Sequence, residues 1–186
     1  MPVPHRIRII GGRHRGRPIP VPVVADLRPT PDRVRETLFN WLGQDLSGAT
    51  TLDLYAGTGA LTLESLSRGA SLAVAVDRNP VLIRALASYA RKIGELPLET
   101  HVGDALRFLQ HERRAFDVVF LDPPFADDPW PDLWLALVPR VAAGGFVYAE
   151  AARALSPRPP FEVVRQGRAG GVHYHLIART QPAAPE

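Results

Sequence analysis

From Gly48 onwards the sequence predicts an α/β fold, in which a largely parallel sheet is covered by helices on both faces. Apolar, strand-like segments alternate with longer segments of helical periodicity, an order typical of parallel sheets. Several of these strands are apolar on both faces, as expected when helices cover both sides. At the end of the chain, "FEVVRQG" and "GVHYHLIART" are separated by Gly-rich turn residues and predict an antiparallel hairpin at the sheet edge.

The predicted elements follow one another with short connections, and no linker is long enough to divide them into two domains. The predicted strands are 50–55, 71–76, 98–102, 116–121 and 144–149. The predicted helices lie near 60–68, 80–93, 104–112 and 131–140. We therefore expect one domain over residues 31–180 and a disordered tail over residues 181–186.

A further helix is predicted ahead of the sheet, over residues 31–42. Thr30 can cap it, Pro31 suits its first turn, and its apolar residues form one stripe in which we expect Trp41 to pack. On the polar face, Arg33 and Glu36 either meet a bound ligand or a substrate phosphate, or form a solvated ion pair.

The first 30 residues form a basic arm ahead of this helix. "HRIRII" alternates as a short strand does, and "GGRHRGRP" is typical of an exposed loop. Residues 1–35 carry a net charge of +6, whereas the rest of the chain carries −3. This asymmetry indicates either a polyanionic partner or a solvated basic tail. For a nucleic-acid partner, the expected contacts are Arg13, Arg15, Arg17 and Arg33.

Composition excludes several classes of site and location. The chain has no cysteine, so it can form neither a disulfide framework nor a thiolate metal site. Its apolar segments are too short to span a membrane and no leader segment is recognisable, which favours a cytoplasmic protein. His173 and His175 lie two residues apart on one strand, but no further ligands accompany them, and we expect no metal site.

Glycines follow the first strand of the predicted sheet, at the edge where open parallel sheets bind ligands. In "LDLYAGTGALTLESL", Gly57 and Gly59 allow a tight turn and a close approach of the backbone to a ligand. A dinucleotide fingerprint would have a third glycine at position 62, where this chain has Thr62, and there is no Walker lysine. Both features argue against a pyrophosphate ligand. A strand–helix turn without a ligand is the alternative.

Acidic residues end four of the predicted strands. Asp77 is placed to accept hydrogen bonds from two ribose hydroxyls, and Asp104 is placed either to meet an adenine amino group or to cap the next helix. Asp53 and Asp122 end two further strands. A sheet edge lined by these acids suits a ligand that has hydroxyls, an adenine and a positive charge. The negative charge of the acids would repel a phosphorylated ligand.

The segment "FDVVFLDPPF" ends a buried strand on Asp122, two prolines and an aromatic ring. The Asp122 carboxylate and the Pro123 carbonyl can each accept one N–H of an exocyclic base amine, which fixes the nitrogen and the direction of its lone pair. Pro123 and Pro124 stiffen the turn and remove backbone donors. Phe125 offers a face on which a base can stack. The alternative is a rigid loop with a helix-capping acid.

These motifs resemble, in the same order, those of the class I S-adenosylmethionine-dependent methyltransferases: "LDLYAGTGAL", Asp77, Asp104 and "DPPF". More specifically, "RIIGGRHRGR", "LRPTPDRVRETLFNWL" and "FLDPPF" are similar to the bacterial 16S ribosomal RNA guanine-N2 methyltransferase family, over nearly the whole chain. The resemblance implies a Rossmann-like, seven-stranded sheet with an antiparallel last strand, and S-adenosylmethionine as cofactor. The cofactor site expected from it consists of Asp53, Ala56, Gly57, Gly59, Asp77, Arg78, Asp104 and Ala105.

The resemblance also implies methyl transfer to the exocyclic N2 amine of a guanine in 16S ribosomal RNA. Ribosomal RNA or the small subunit would then be the partner, and we expect a monomer. The residues alone indicate an exocyclic amine more firmly than they indicate guanine. Adenine-N6 methylation of DNA and glutamine methylation of a protein therefore stay open, as does a non-catalytic RNA-binding module. The presence of Gly57, Gly59, Asp77 and Asp122 argues against the last.

Overall fold

A computed structural model describes residues 7–24, 30–94 and 96–180. In chain order, the strands are β1 (Ile7–Arg8), β2 (Pro18–Ile19), β3 (Thr50–Asp53), β4 (Leu72–Asp77), β5 (Leu98–Val102), β6 (Phe116–Leu121), β7 (Val141–Ala151), β8 (Phe161–Ala169) and β9 (Val172–Arg179). The helices are α1 (Asp32–Trp41), α2 (Ala60–Ser67), α3 (Pro80–Gly94), α4 (Ala105–His111) and α5 (Trp130–Leu137).

Seven strands form one sheet in the order β5-β4-β3-β6-β7-β9-β8. The neighbours from β5 to β7 are parallel, whereas β9 pairs antiparallel with both β7 and β8. The predicted Rossmann-like sheet with an antiparallel C-terminal hairpin is therefore confirmed. The chain winds outward from β3 in one direction and from β6 in the other, so the topological switch lies between these two strands. Their carboxyl ends are where a ligand is expected.

Helices cover both faces of the sheet, as the apolar strands predict. On one face, α4 and α5 pack against Val119 and Leu121 of β6. On the other face, α1 and α2 pack against Val118 and Phe120 of the same strand. Successive residues of β6 thus enter two different cores, because side chains alternate along a strand.

The N-terminal residues form a hairpin that is packed against the sheet domain. β1 and β2 pair antiparallel, and their isoleucines join a core with α2 and α3: Ile7, Ile9, Ile19, Leu63 and Leu86. The loop of the hairpin crosses the C-terminal end of α2, where the backbone N–H of Arg13 donates to the Ser67 carbonyl at 2.7 Å. The described part of the basic arm therefore has a fixed backbone.

A buried glutamate on α2 holds this hairpin in place. Both oxygens of Glu64 accept backbone N–H groups, from Ile10 and Gly11, at 2.7 Å each. Arg68 donates to the same carboxylate at 2.8 Å, and Arg35, which is fully buried, lies 3.7 Å from it. Glu64 is itself fully buried, so its charge is compensated by these four partners rather than by water.

Three local predictions differ from the structure. Pro31, not Thr30, occupies the N-cap position of α1, and no side chain caps that helix. The Thr30 hydroxyl instead donates to the Glu150 carboxylate at 3.0 Å, a partner 120 residues away. β2 was not predicted, and β7 is longer than the predicted 144–149 because its pairing extends over the Gly-containing segment from Val141.

Several predictions fall on residues outside the described ranges. These are the strand assignment for residues 5–6, the contribution of Arg6 and Arg28 to the basic arm, and the disordered tail at 181–186.

None of the helices in the described ranges has the length and apolar character that crossing a membrane requires.

Candidate active site

A cleft of about 640 Å³ opens at the carboxyl ends of β3, β4, β5 and β6. Its size is within the range of roughly 300–1,000 Å³ that ligand pockets occupy. The sequence predicted twelve residues that bind the cofactor or hold the amine of the substrate. Eight of them line this cleft: Gly57, Asp77, Arg78, Ala105, Asp122, Pro123, Pro124 and Phe125. The other four, Asp53, Ala56, Gly59 and Asp104, lie outside the lining and support it.

The glycine turn after β3 is bonded to the acid at the end of β4. The backbone N–H of Gly57 donates to Oδ2 of Asp77 at 2.8 Å, and the N–H of Asn79 donates to Oδ1 at 2.8 Å. The N–H of Ala56 donates to the Val76 carbonyl at 3.0 Å. Each Asp77 oxygen retains a further lone pair, so the carboxylate can still accept from a ligand hydroxyl.

Gly59 fits the glycine pattern of a dinucleotide fingerprint, whereas Thr62 departs from it. Gly59 begins α2 with φ 76°, in the left-handed region that favours glycine. Thr62 donates its hydroxyl to Oδ2 of Asp53 at 2.7 Å, inside the protein. A glycine at position 62 would leave the buried Asp53 without this donor. Burial raises the pKa of Asp53 to about 7, against the lowering effect of the Thr62 hydrogen bond, and the charge of Asp77 adds to the rise.

Asp104 is occupied by protein partners on both of its oxygens. Oδ1 accepts the N–H of Arg107 at 3.0 Å and so caps α4, which is the capping role that the sequence left open. Oδ2 accepts Nη2 of Arg78 at 2.6 Å. The Arg107 hydrogen bond and the Arg78 guanidinium hold the pKa of Asp104 below its usual value. Its neighbours Gly103 and Ala105, rather than Asp104 itself, line the cleft.

The segment from Asp122 to Phe125 forms the wall of the cleft beside β6. Asp122 is partly buried, Pro123 is buried, and Phe125 is 45% exposed, so its ring is available for stacking. Burial raises the pKa of Asp122 well above its usual value, and the charges of Glu150 and Asp53 raise it further. No side-chain hydrogen bond to Asp122 occurs within residues 7–24, 30–94 and 96–180, so this acceptor faces the cleft.

Sequence reasoning missed Glu150, a fifth acid at the carboxyl end of a strand. It is 5% exposed and accepts the Thr30 hydroxyl at 3.0 Å and the Tyr148 hydroxyl at 2.8 Å. Burial raises its pKa, although both hydroxyls act against the rise. The signal was present, because Glu150 lies next to the carboxyl end of β7, as the other four acids lie at or just after the ends of their strands.

Sequence reasoning also missed Tyr55, which lines the cleft between Leu54 and the glycine turn. Burial raises the pKa of its hydroxyl to about 12, so the ring is neutral and presents an apolar surface to the cleft.

A second, smaller cavity of about 140 Å³ lies on the other side of the proline turn. It shares Pro123, Pro124 and Phe125 with the large cleft and is completed by residues of the α5 start and the end of β7. In its rim, Arg153 donates to both oxygens of Asp128, at 3.0 and 3.2 Å. A cavity of about 150 Å³ admits a benzene-sized ring, so this one has room for one planar ring.

The predicted RNA contacts lie on the surface. Arg13, Arg15 and Arg17 have exposed side chains on the hairpin, and within the described part of the chain none of them forms an ion pair. Arg33 and Glu36 are also exposed on α1 and form no ion pair with each other.

The structure also shows the surroundings of Trp41, for which the sequence predicted packing, and of His175, for which it predicted no metal. Trp41 packs against Tyr174, with ring centroids 5.5 Å apart, which confirms its structural role. His175 is buried; it accepts the Leu155 N–H at 3.2 Å and contacts the Ala149 carbonyl at 3.3 Å, two backbone partners that fix its ring. Within the described residues, no group of three or more His, Cys, Asp or Glu side chains is arranged to hold a metal ion.

Comparison with known proteins agrees with this geometry. A family model described as "Conserved hypothetical protein 95" matches residues 7–178, from β1 to β9. The chain belongs to this family. Both the packed N-terminal hairpin and the methyltransferase-like sheet fall within the matched region, so the family includes both parts.

One relative of this chain is "Ribosomal RNA small subunit methyltransferase D" of Escherichia coli, which is 43% identical over 120 residues. That match covers 64% of this chain and 61% of the relative, so it spans less than two thirds of the relative's length. "Putative rRNA methyltransferase YlbH" of Bacillus subtilis is 33% identical over 154 residues, 77% of this chain and 82% of the relative.

A solved structure, "Putative methyltransferase yhhF" from Escherichia coli, superposes with a TM-score of 0.87 at 35% identity. The superposition covers 95% of this chain and 99% of that one. The fold is therefore shared over nearly the whole of this chain.

Proposed function

We propose that this protein is an S-adenosylmethionine-dependent methyltransferase that acts on the exocyclic N2 amine of a guanine in small-subunit ribosomal RNA. One observation carries the proposal: the proline turn from Asp122 to Phe125 and the ligand-binding pair Gly57 and Asp77 line the same cleft. The proline turn can accept the hydrogen bonds of an amine, and Asp77 can accept those of a nucleoside. A cleft that holds both fits a reaction in which the amine attacks a group carried by the nucleoside. The names of the relatives support methylation of ribosomal RNA, and the choice of the guanine N2 amine rests on the resemblance of the motifs.

The residues of the cleft fit S-adenosylmethionine. Asp77 has acceptor capacity left for ribose hydroxyls, and the glycine turn leaves room for a close approach. Leu82 and Ala105 offer apolar surface for an adenine ring. Acidic side chains suit the positively charged sulfonium and disfavour phosphate. When bound, the cofactor supplies a methyl group that is already activated by the positive charge on sulfur.

The protein's own contribution is to hold the amine. An exocyclic amine is a weak nucleophile because its lone pair is delocalised into the base. The Asp122 carboxylate and the Pro123 carbonyl accept its two N–H groups, and the exposed Phe125 ring stacks on the base. Base–aromatic stacking contributes about 1–3 kcal/mol. Orientation of this kind accounts for a large part of the barrier reduction when the leaving group needs no further activation.

Guanine is favoured over adenine by the small cavity beside the turn. The rim of this cavity carries the guanidinium of Arg153, next to the proline turn that lines both cavities. Arginine donates well to the O6 and N7 acceptors of guanine, whereas adenine presents an amino group at the position of O6. Asp128 holds the guanidinium by two hydrogen bonds and so limits its conformational freedom.

The packed basic hairpin supports an RNA substrate. Arg13, Arg15 and Arg17 are exposed on a backbone fixed by Glu64 and Ser67, so three guanidinium groups are presented without an entropic cost in the backbone. Extruding a base into the cleft costs a few kcal/mol, and phosphate contacts of this kind offset that cost. A ribosomal substrate would also place the activity in the cytoplasm.

The identity of the product tests this proposal. The protein is incubated with labelled S-adenosylmethionine and either small subunits that lack the modification, naked 16S ribosomal RNA, duplex DNA or bulk protein. Digestion and mass spectrometry then identify the methylated species. N2-methylguanosine from either RNA substrate supports the proposal, whereas N6-methyladenosine, methylglutamine or no product overturns it.

An Arg153→Ala variant tests the guanine assignment in the same assay. We expect a higher KM for the RNA and an unchanged affinity for the cofactor, because Arg153 lines only the small cavity. An unchanged KM would remove Arg153 from base recognition.

A further inference from the structure

Asp122 and Glu150 are neighbours across the β6–β7 pair. The two strands are parallel, with Phe120 opposite Tyr148 and Leu121 opposite Ala149. Continuing this register places Asp122 beside Glu150, on the face that Phe120 and Tyr148 share. Two carboxyl groups therefore lie side by side at the carboxyl end of the sheet, one lining the cleft and the other buried behind it.

Glu150 is held by neutral donors. The hydroxyls of Thr30 and Tyr148 donate to the same oxygen, and no ion pair to Glu150 occurs within residues 7–24, 30–94 and 96–180. Burying an acid without a counter-charge is costly, and acids with strongly perturbed pKa values cluster at functional sites. The Thr30 hydroxyl comes from the residue before the N-cap of α1, so a contact across 120 residues of sequence helps to hold this carboxyl.

Asp53 and Glu150, the two acids that act on Asp122, both raise its pKa. Asp53 approaches from β3 and Glu150 from β7, while Tyr148, whose own pKa is raised by burial, lies next to Glu150. Asp77 and Arg78 line the same cleft. Burial is the largest cause of the raised pKa of Asp122, and Glu150 is the second. Two adjacent acids cannot both ionise readily, so they titrate as a pair.

We propose that Glu150 is a positioning residue that makes Asp122 the proton acceptor of the methyl transfer. The inference rests on the proposed function. In the step, the lone pair of the base amine forms the new N–C bond, and the S–C bond of the sulfonium breaks with its electron pair going to sulfur. The amine nitrogen loses one proton to the Asp122 carboxylate, from which it passes to water. Glu150 strengthens this base by its adjacent charge, and a base matched to the working pH accepts a proton most efficiently.

The pH dependence of single-turnover methyl transfer, with saturating cofactor, tests the role of Glu150. In the wild type, the rate rises with pH as the pair releases its proton. Glu150→Gln keeps the size and the two acceptor contacts but removes the charge, so Asp122 should ionise at lower pH. We expect the acid limb of the profile to move down by half a pH unit or more, and the plateau rate to fall severalfold because Asp122 is a weaker base. The matched control is Glu162→Gln, which removes a charge from an exposed position on β8.

Tyr148→Phe provides a second variant. It removes one donor from Glu150, which keeps that carboxyl neutral to higher pH and weakens its repulsion of Asp122. The acid limb should move in the same direction by a smaller amount. A lower plateau with an unshifted limb in both variants would show that Glu150 is structural only.

A second readout needs neither cofactor nor RNA. A carboxyl whose pKa is raised in the folded state binds its proton more tightly there, so the free energy of unfolding falls as pH rises through its titration. That fall should be smaller in Glu150→Gln than in the wild type, and an equal fall would overturn the coupling. Failure of the wild type to methylate guanine would instead overturn the proposed function, together with the step that rests on it.

Discussion

The Asp77 carboxylate accepts the backbone N–H of Gly57 at 2.8 Å, so the acid that ends β4 is bonded to the glycine turn that follows β3. The same carboxylate binds the N–H of Asn79 with its other oxygen. One side chain therefore fixes the relative positions of two loops that line the cleft. Its remaining lone pairs are those available to a ligand.

Asp77→Ala should weaken binding of S-adenosylmethionine by about 1.5–3 kcal/mol, the value of a lost hydrogen bond to a charged group. This corresponds to roughly 10- to 150-fold in the dissociation constant. Isothermal titration with S-adenosylhomocysteine measures the effect without turnover. Asp77→Asn, which keeps one acceptor oxygen, should show a smaller loss. An unchanged affinity in both variants would remove Asp77 from the cofactor site.

Asp122→Ala should leave cofactor affinity largely intact while methyl transfer falls by a hundredfold or more, on the order of 3 kcal/mol of lost orientation. The reason is that Asp122 lies on the amine side of the cleft and lacks a partner among the described side chains. Single-turnover rates and cofactor titration separate the two effects. Asp132→Ala, an exposed acid at the start of α5, is the control. Turnover within a few-fold of the wild type would contradict the role given to the proline turn.

The sheet and its helices were predictable because their signals are local. The apolar run of Val118–Leu121 and the turn residues after it define β6 within ten residues of sequence, and the structure reproduces the predicted bounds, 116–121. The same holds for the acids that end β3, β4 and β6. A strand end is readable from the sequence, and parallel strands bring their carboxyl ends to one edge.

The contacts that complete the site were not predictable because they join residues far apart in sequence. Thr30 has the residue type of a helix cap, but α1 begins one residue later than predicted, and the fold brings Thr30 to Glu150 instead. Glu64 has the pattern of a surface residue of α2, yet the hairpin 54 residues earlier buries it. Asp104 could serve a ligand or a helix by its sequence, and its second oxygen is occupied by Arg78, which lies 26 residues earlier in the chain.

Glu64→Ala should lower the free energy of unfolding by about 3–5 kcal/mol, the cost of leaving a buried partner charge uncompensated. The fully buried Arg35 would keep Asp32 as its remaining ion-pair partner, and two backbone N–H groups of the hairpin would lose their acceptor. Urea unfolding followed by circular dichroism measures the change. Glu36→Ala, on the exposed face of α1, should stay within about 0.5 kcal/mol of the wild type. Equal stability of both variants would show that Glu64 does not anchor the hairpin.

Asp53→Asn should make the protein more stable at neutral pH and should do so in a pH-dependent way. Asp53 has a pKa of about 7 in the folded state, raised from 3.8. The folded state therefore binds the proton more tightly, and the wild-type free energy of unfolding falls as pH rises from about 4 to about 7. The asparagine does not titrate, so its advantage grows over this window, to a value on the order of 3–4 kcal/mol above pH 7. Urea titrations at pH 4.5, 6, 7 and 8 measure the difference, and a pH-independent difference would contradict the raised pKa.

Arg13, Arg15 and Arg17, changed together to alanine, should weaken RNA binding and lower its dependence on salt. Each phosphate neutralised contributes about 0.7–0.9 to the slope of log affinity against log salt, so three lost contacts should reduce that slope by about 2–3. The hairpin backbone is held by Glu64 and Ser67, not by these side chains, so folding and cofactor affinity should persist. The matched control removes the same charge from the far side of the sheet, where Arg158, Arg165 and Arg168 are exposed on β8 and the loop before it. Filter binding to 16S ribosomal RNA from 50 to 300 mM salt compares the two triple variants. If both lower the slope equally, RNA is attracted by net charge alone, and if neither does, the hairpin is not an RNA-binding surface.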